Sequence, residues 1–257
     1  MFSMSIKIAA VSAVALLAAA IPQPGAAATT EIVALVASNA KGAFTEIIKE
    51  FESKHKGVTV KANYLGGTTI GKMVDEQERA DVVLVGSSTT DKESQLLLNV
   101  TPVLRNKEVI LVPKNNPANI KTVKDIGNKD VKLAIGTPAS AVGKLASQVI
   151  QNAAAVYGFD FVKDVRDNIK VQAEKGSDIV AAVSGGQANA AIAFESDRDD
   201  SKFITIPIED KFNVVSTYNM GVTKNAKNGA LAKELLDLVV GGDGQSVLKK
   251  FNYMSPK

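Results

Sequence analysis

The chain has 257 residues, with 30 Lys and Arg against 27 Asp and Glu, one His and no Cys, for a net charge of +3. That balance is too slight to argue for a nucleic-acid or anionic-membrane partner. The missing cysteine excludes disulfides, thiolate metal sites, a thiol nucleophile and an acylated-cysteine tether. Residues 1–28 read as a signal peptide. Lys7 precedes an apolar run from Ile8 to Ile21, Pro22 and Pro24 break it, and Ala26-Ala27-Ala28 offers a small-residue cleavage site. The run is shorter than the roughly 20 residues a spanning helix needs. The mature chain, beginning near Thr29 with a net charge of +2, is expected in the periplasm.

From there strands and helices alternate. Ile32 to Val36 is short, continuous and apolar, as a buried strand is. Ala40 to His55 carries Phe44, Ile47, Ile48 and Phe51 at helical spacing, and Gly57 ends it. Val58 to Tyr64 alternates as a strand, Ile70 to Arg79 reads as a short helix, and Asp81 to Val85 as a buried strand. Val109 to Val112 is a strand stopped by Pro113, Val123 to Ile126 a short helical segment, and Leu133 to Ile135 a strand. Ala141 to Tyr157 is expected to be helical and to end at Gly158. Ile169 to Gln172, Ala190 to Phe194, Phe203 to Ile208 and Val214 to Val222 read as strands. Ile179 to Gly185, Ala230 to Val239 and Gln245 to Phe251 read as helices. This alternation implies mixed sheets flanked by helices. It occurs once before Val109 and again after it, which predicts two lobes, residues 29–106 with 207–257 and residues 107–206, and a cleft at the carboxyl ends of the strands.

Four turns join a strand to a helix. Ser38 follows the first strand, and Gly67-Thr68-Thr69 follows the second. Gly136-Thr137-Pro138 leads through Gly143 into the long helix, and Gly176-Ser177-Asp178-Ile179 opens the fourth junction, with Ser177 or Asp178 as its expected cap. Such turns leave backbone N–H groups without helical partners and so favour an anion. Enzymatic patterns fail by comparison. Gly66, Gly71 and Lys72 match a phosphate-binding loop, but Met73 stands where a magnesium-binding hydroxyl belongs. Ser-x-x-Lys occurs three times, at Ser38, Ser53 and Ser246, without its companion motifs. His55, the only histidine, lies between Lys54 and Lys56 and reads as solvated. Glu195, Asp197, Asp199 and Asp200 are interleaved with Arg198 and Lys202, which reads as a solvated loop rather than a metal site.

Five segments in order carry a family resemblance: Val36-Ala37-Ser38; Gly67-Thr68-Thr69-Ile70; Ala80-Asp81-Val82-Val83-Leu84-Val85; Ile135-Gly136-Thr137-Pro138; and Ile192-Ala193-Phe194-Glu195-Ser196-Asp197. Together they resemble the periplasmic molybdate-binding proteins that feed ATP-driven importers. The resemblance implies a two-lobed α/β periplasmic-binding-protein fold without enzymatic activity or cofactor. It implies a carrier of a tetrahedral oxyanion, molybdate or tungstate, to a membrane permease; nothing in the sequence suggests an oligomer, so a monomer is expected. The ligand contacts it implies are the Ser38 hydroxyl and N–H, the Gly67 backbone with a hydroxyl from Thr68 or Thr69, and backbone N–H groups of Gly143 and Ile179. Phe194 stands where the family often places a tyrosine hydroxyl on the ligand, and Gly67 where it usually has a serine. These departures keep sulfate, phosphate, chromate and small organic anions as alternative ligands. A secreted hydrolase is the rival from another class.

Overall fold

The computed structural model describes residues 29–86 and 95–256, and the expected signal peptide lies outside them. The apolar runs become strands β1 (Thr30–Ala37), β2 (Val58–Leu65), β3 (Val82–Gly86), β4 (Leu97–Pro113), β5 (Leu133–Gly136), β6 (Ile169–Ala173), β7 (Ala190–Phe194), β8 (Phe203–Pro207) and β9 (Val215–Thr223). The helices are α1 (Lys41–Lys54), α2 (Gly67–Asp75), α3 (Ala141–Asn168), α4 (Gly176–Ser184), α5 (Gly229–Val240) and α6 (Gly242–Lys250). The strands lie in the order β2-β1-β3-β9-β4-β7-β5-β6, with β8 also paired to β4. Pairing is mixed: β1 runs parallel to β2 and β3, β5 parallel to β6 and β7, while β9 is antiparallel to both β3 and β4.

Alternation along the strands divides the core by face. Ile32, Ala34 and Val36 of β1 join Phe44 and Phe51 of α1 and Leu235 of α5, while Leu35 joins Ile70 of α2 and Val83 on the other face. On β4, Ile110 and Val112 pack with Val149 of α3, whereas Val109 and Leu111 pack with Ile179 of α4. Strands covered on both faces read as continuous apolar runs, which is why these were visible in the sequence.

Two elements differ from expectation. The strand expected at Val109 begins at Leu97, and residues 98–102 in its first half are mostly exposed, with register shifts between Leu98 and Thr101 and between Pro102 and Leu104. Asn99 adopts a left-handed φ of 54° there. Bulges and turn-forming residues hid it. The long helix, expected to end at Gly158, kinks there at φ 85° and resumes to Asn168.

The long β4 joins the two halves of the fold. It pairs with β9 as far as Lys107↔Val215, and with β7 from Glu108↔Phe194 onward. Ile208 and Phe212, expected in the first lobe, pack with Val149 and Phe161 of α3. Asn213 ties the crossings together: its Oδ1 accepts from the Glu108 N–H at 3.1 Å and its Nδ2 donates to the Glu108 carbonyl at 2.7 Å. Asp81, fully buried, accepts from the N–H of Val33 at 2.8 Å and of Asn228 at 2.9 Å, fixing β1 against the start of α5.

Candidate functional site

A cavity of about 250 Å³ opens between the lobes at the carboxyl ends of β1, β2 and β3. Ser38, Gly67, Thr68 and Thr69 line one wall, and Ala141, Val142 and Gly176 the other. Phe194 and Tyr218 also line it.

The first wall begins where β1 stops. Ser38–Ala40 forms a single 3₁₀ turn before α1, and the Ser38 side chain makes no capping bond in it. Two tyrosines hold the turn. Tyr218 Oη accepts from Asn39 Nδ2 at 2.9 Å, and Tyr253 Oη donates to the Asn39 carbonyl at 2.8 Å. In α2 the first helical bond runs from the Ile70 N–H to the Gly66 carbonyl, so the N–H groups of Gly67, Thr68 and Thr69 precede it. No side chain caps them.

The second wall presents residues one to three positions before those expected. Ser140 caps α3, its Oγ accepting from the Gly143 N–H at 3.1 Å and donating to the Thr137 carbonyl at 2.9 Å. The Gly143 N–H is thus engaged within its own turn, and the helix N–H groups at the cavity wall are those of Ala141 and Val142. Gly143 is needed for closeness: a Cβ there would overlap the Thr137 carbonyl oxygen. Ile179 is fully buried on the inner face of α4, and its N–H bonds the Lys175 carbonyl at 3.3 Å. Gly176 takes the expected place of Ile179 at the cavity. Neither Ser177 nor Asp178 caps α4; the residue preceding the helix is Lys175.

Two side chains at this site were not anticipated. Tyr218 comes from β9, which the sheet order inserts beside β3, and it is 2% exposed. Burial holds its phenol above the ordinary range, so it stays neutral. Asn39 donates to its hydroxyl, and Tyr218 lines the cavity that Phe194, without a hydroxyl, also lines. Asn39 was the other omission. Nothing local in the sequence marks Tyr218, since only long-range strand order brings it here.

His55, expected to be solvated, stacks on Phe51 with ring centroids 4.0 Å apart, and its Nε2 lies 2.8 Å from Glu234 Oε2. Among the acids expected in a solvated loop, Asp199 pairs with Lys202 at 2.9 Å and Asp200 with Arg198, so both carboxylates are satisfied by neighbouring cations. Chemically, the cavity offers hydroxyls and helix N-termini, each worth about half a positive charge, to an acceptor-rich guest.

Two α/β lobes joined by crossing strands, with helix N-termini turned into the cleft, define a solute-binding protein. The chain belongs to the bacterial extracellular solute-binding proteins, whose family pattern matches residues 32–253. Members of this family are transport components, not enzymes. A relative is the molybdate-binding protein ModA of Mycobacterium tuberculosis, 23% identical over 88% of this chain and 85% of that protein. The periplasmic molybdate-binding protein of Azotobacter vinelandii shares the fold, with a TM-score of 0.74, 14% identity, and coverage of 88% of this chain and all (100%) of that one. So does L-phospholactate-bound PEB3, a Campylobacter jejuni protein, with a TM-score of 0.72, 18% identity and coverage of 88% and 100%. At such identities the structural matches speak to fold alone. Among the described residues no helix is long and apolar enough to cross a membrane.

Proposed function

We propose that the protein captures a tetrahedral oxyanion, molybdate or tungstate foremost, and delivers it from the periplasm to the membrane permease of an ABC importer. The observation that carries this reading is the convergence of the Ser38 turn, the α2 N-terminus and the α3 N-terminus on one cavity. Donors are Ser38 and the N–H groups of Gly67, Thr68 and Thr69 from one lobe, and Ala141 and Val142 from the other. Tyr218 supplies the phenol. Neutral donors suit a fully deprotonated dianion, which needs no acceptor in return. The lobes divide at residues 107/108 and 213/214, supported by the switch in β4 pairing and by the packing of Phe212. The signal at residues 1–28 accounts for export, and the protein works as a monomer.

One observation favours a second reading. The cavity continues past Ser38, Asn39 and Gly176 into an annex of about 400 Å³ lined by Lys41 from one lobe and Lys175 from the other. A small organic anion with a second negative group, as L-phospholactate is in PEB3, would use both parts.

The test is thermal unfolding of residues 29–257 with molybdate, tungstate, sulfate, phosphate, chromate and L-phospholactate in turn. A ligand at 100 times its Kd adds about 2.7 kcal/mol. A rise confined to molybdate and tungstate supports the first reading, a rise confined to L-phospholactate the second, and no rise sinks both.

A further inference from the structure

Beneath the cavity lies a polar cluster that the oxyanion reading does not use. Glu108 is fully buried, and neither carboxyl oxygen has a hydrogen-bond partner. It is the first residue of β4 to pair with β7, so it sits where the strand passes from one lobe to the other. Its charged neighbour is Asp197, in the 3₁₀ turn after β7, whose Oδ2 is likewise buried and unpartnered. Asp197 lines the annex and lies against Gly176, where a Cβ would stand 2.6 Å from Oδ2.

The surroundings give these carboxyls no cation. From β9 comes Tyr218 and from the C-terminal segment Tyr253, both neutral phenols engaged with Asn39. Asn106, two residues before Glu108, donates to Ser196 Oγ at 2.8 Å. Lys107 alternates to the opposite side of β4 and lies 3.8 Å from Glu195. Lys41 and Lys175 line the annex and are exposed. A buried carboxylate without a partner is held far more readily as the neutral acid. Burial, with Asp197 adding its negative charge, raises Glu108 well above the carboxylate range, and burial pushes Asp197 up to about 6.

We propose that Glu108 and Asp197 form a proton-binding site at the hinge, which holds one proton in the ligand-free protein. An anion captured beside Asp197 adds negative charge and favours a second proton on the pair, so capture takes up a proton and release of the anion gives it back. This last link rests on the oxyanion reading; the proton site does not.

The sign of the pH dependence follows. The folded protein keeps protons that the unfolded chain has lost, so stability falls as pH rises from the ordinary carboxylate range through about 6. The experiment is infrared spectroscopy of the ligand-free protein at pH 7. The expected result is a buried protonated-carboxyl band that disappears in Glu108→Gln and shifts in Asp197→Asn. Absence of the band, or its persistence in Glu108→Gln, overturns the proposal. Should Glu108→Gln fail to fold, wild type and Asp197→Asn decide: the band must be present in the first and displaced in the second. A second arm measures molybdate binding by calorimetry in buffers of different ionisation enthalpy, with proton uptake expected in wild type and reduced in Asp197→Asn. Binding without uptake overturns the link. Failure of molybdate to bind, with the band intact, counts against the oxyanion reading alone.

Discussion

Tyr218 and Ser38 illustrate how differently two residues of one site are encoded. Ser38 stands at the end of an apolar run and before an amphipathic one, so strand, turn and helix could be read around it. Tyr218 lies within a strand like any other and reaches the cavity because β9 runs beside β3. Tyr218→Phe removes one donor to a charged acceptor, worth about 1.5–3 kcal/mol, and should weaken molybdate roughly tenfold to a hundredfold. Ser38→Ala should weaken it at least several-fold. Calorimetry on the two variants checks both, and an unchanged affinity removes that residue from the site. Away from the cleft, bonds to the Phe51 carbonyl and Glu234 raise the His55 imidazole above its ordinary value. That contribution is complete below the unfolded value of about 6.5 and is lost as pH rises through the raised one. His55→Ala should therefore flatten the melting temperature between pH 6 and 8. A wild-type slope in the variant would show that the ion pair contributes nothing.

The elements around the cleft were legible wherever apolar period and turn chemistry agreed. Gly67-Thr68-Thr69 could be read as a strand-to-helix junction because glycine and hydroxyls precede a helix, and it lines the cavity. The α3 junction could be read too, but the structure engages the Gly143 N–H within the turn and lines the cavity with Ala141 and Val142. The reason is Ser140, whose hydroxyl takes the Gly143 N–H and leaves the preceding N–H groups at the cavity. A side chain that caps its own helix is hard to tell, in sequence, from one that leaves the N–H groups to a ligand. The first half of β4 was missed because Asn99, Pro102 and two register shifts break its alternation. The glycine at position 143 gives a test at this scale. Gly143→Ala places a methyl group into the Thr137 carbonyl and should lower stability by about 1–3 kcal/mol, the ordinary cost of overpacking. Chemical denaturation measures it, and a neutral result would mean the turn yields more easily than its packing implies.

At the scale of the whole molecule, the lobes meet through two crossings laced by Asn213. A guest that takes donors from both walls favours the closed arrangement by its differential affinity for it. Solution scattering should therefore show a smaller radius of gyration with saturating ligand than without. Equal radii, with binding established, would mean that the cleft is already closed when empty.

The order of the strands also dictates an order of assembly. Residues 108–213 are continuous in the chain, and one lobe can close its core as soon as they are complete. The other cannot, because β9 (Val215–Thr223) belongs between β3 and β4. Until synthesis reaches that stretch, both neighbours present unpaired backbone along a vacant slot, a surface that other chains can join. The half of the molecule made first is the half finished last.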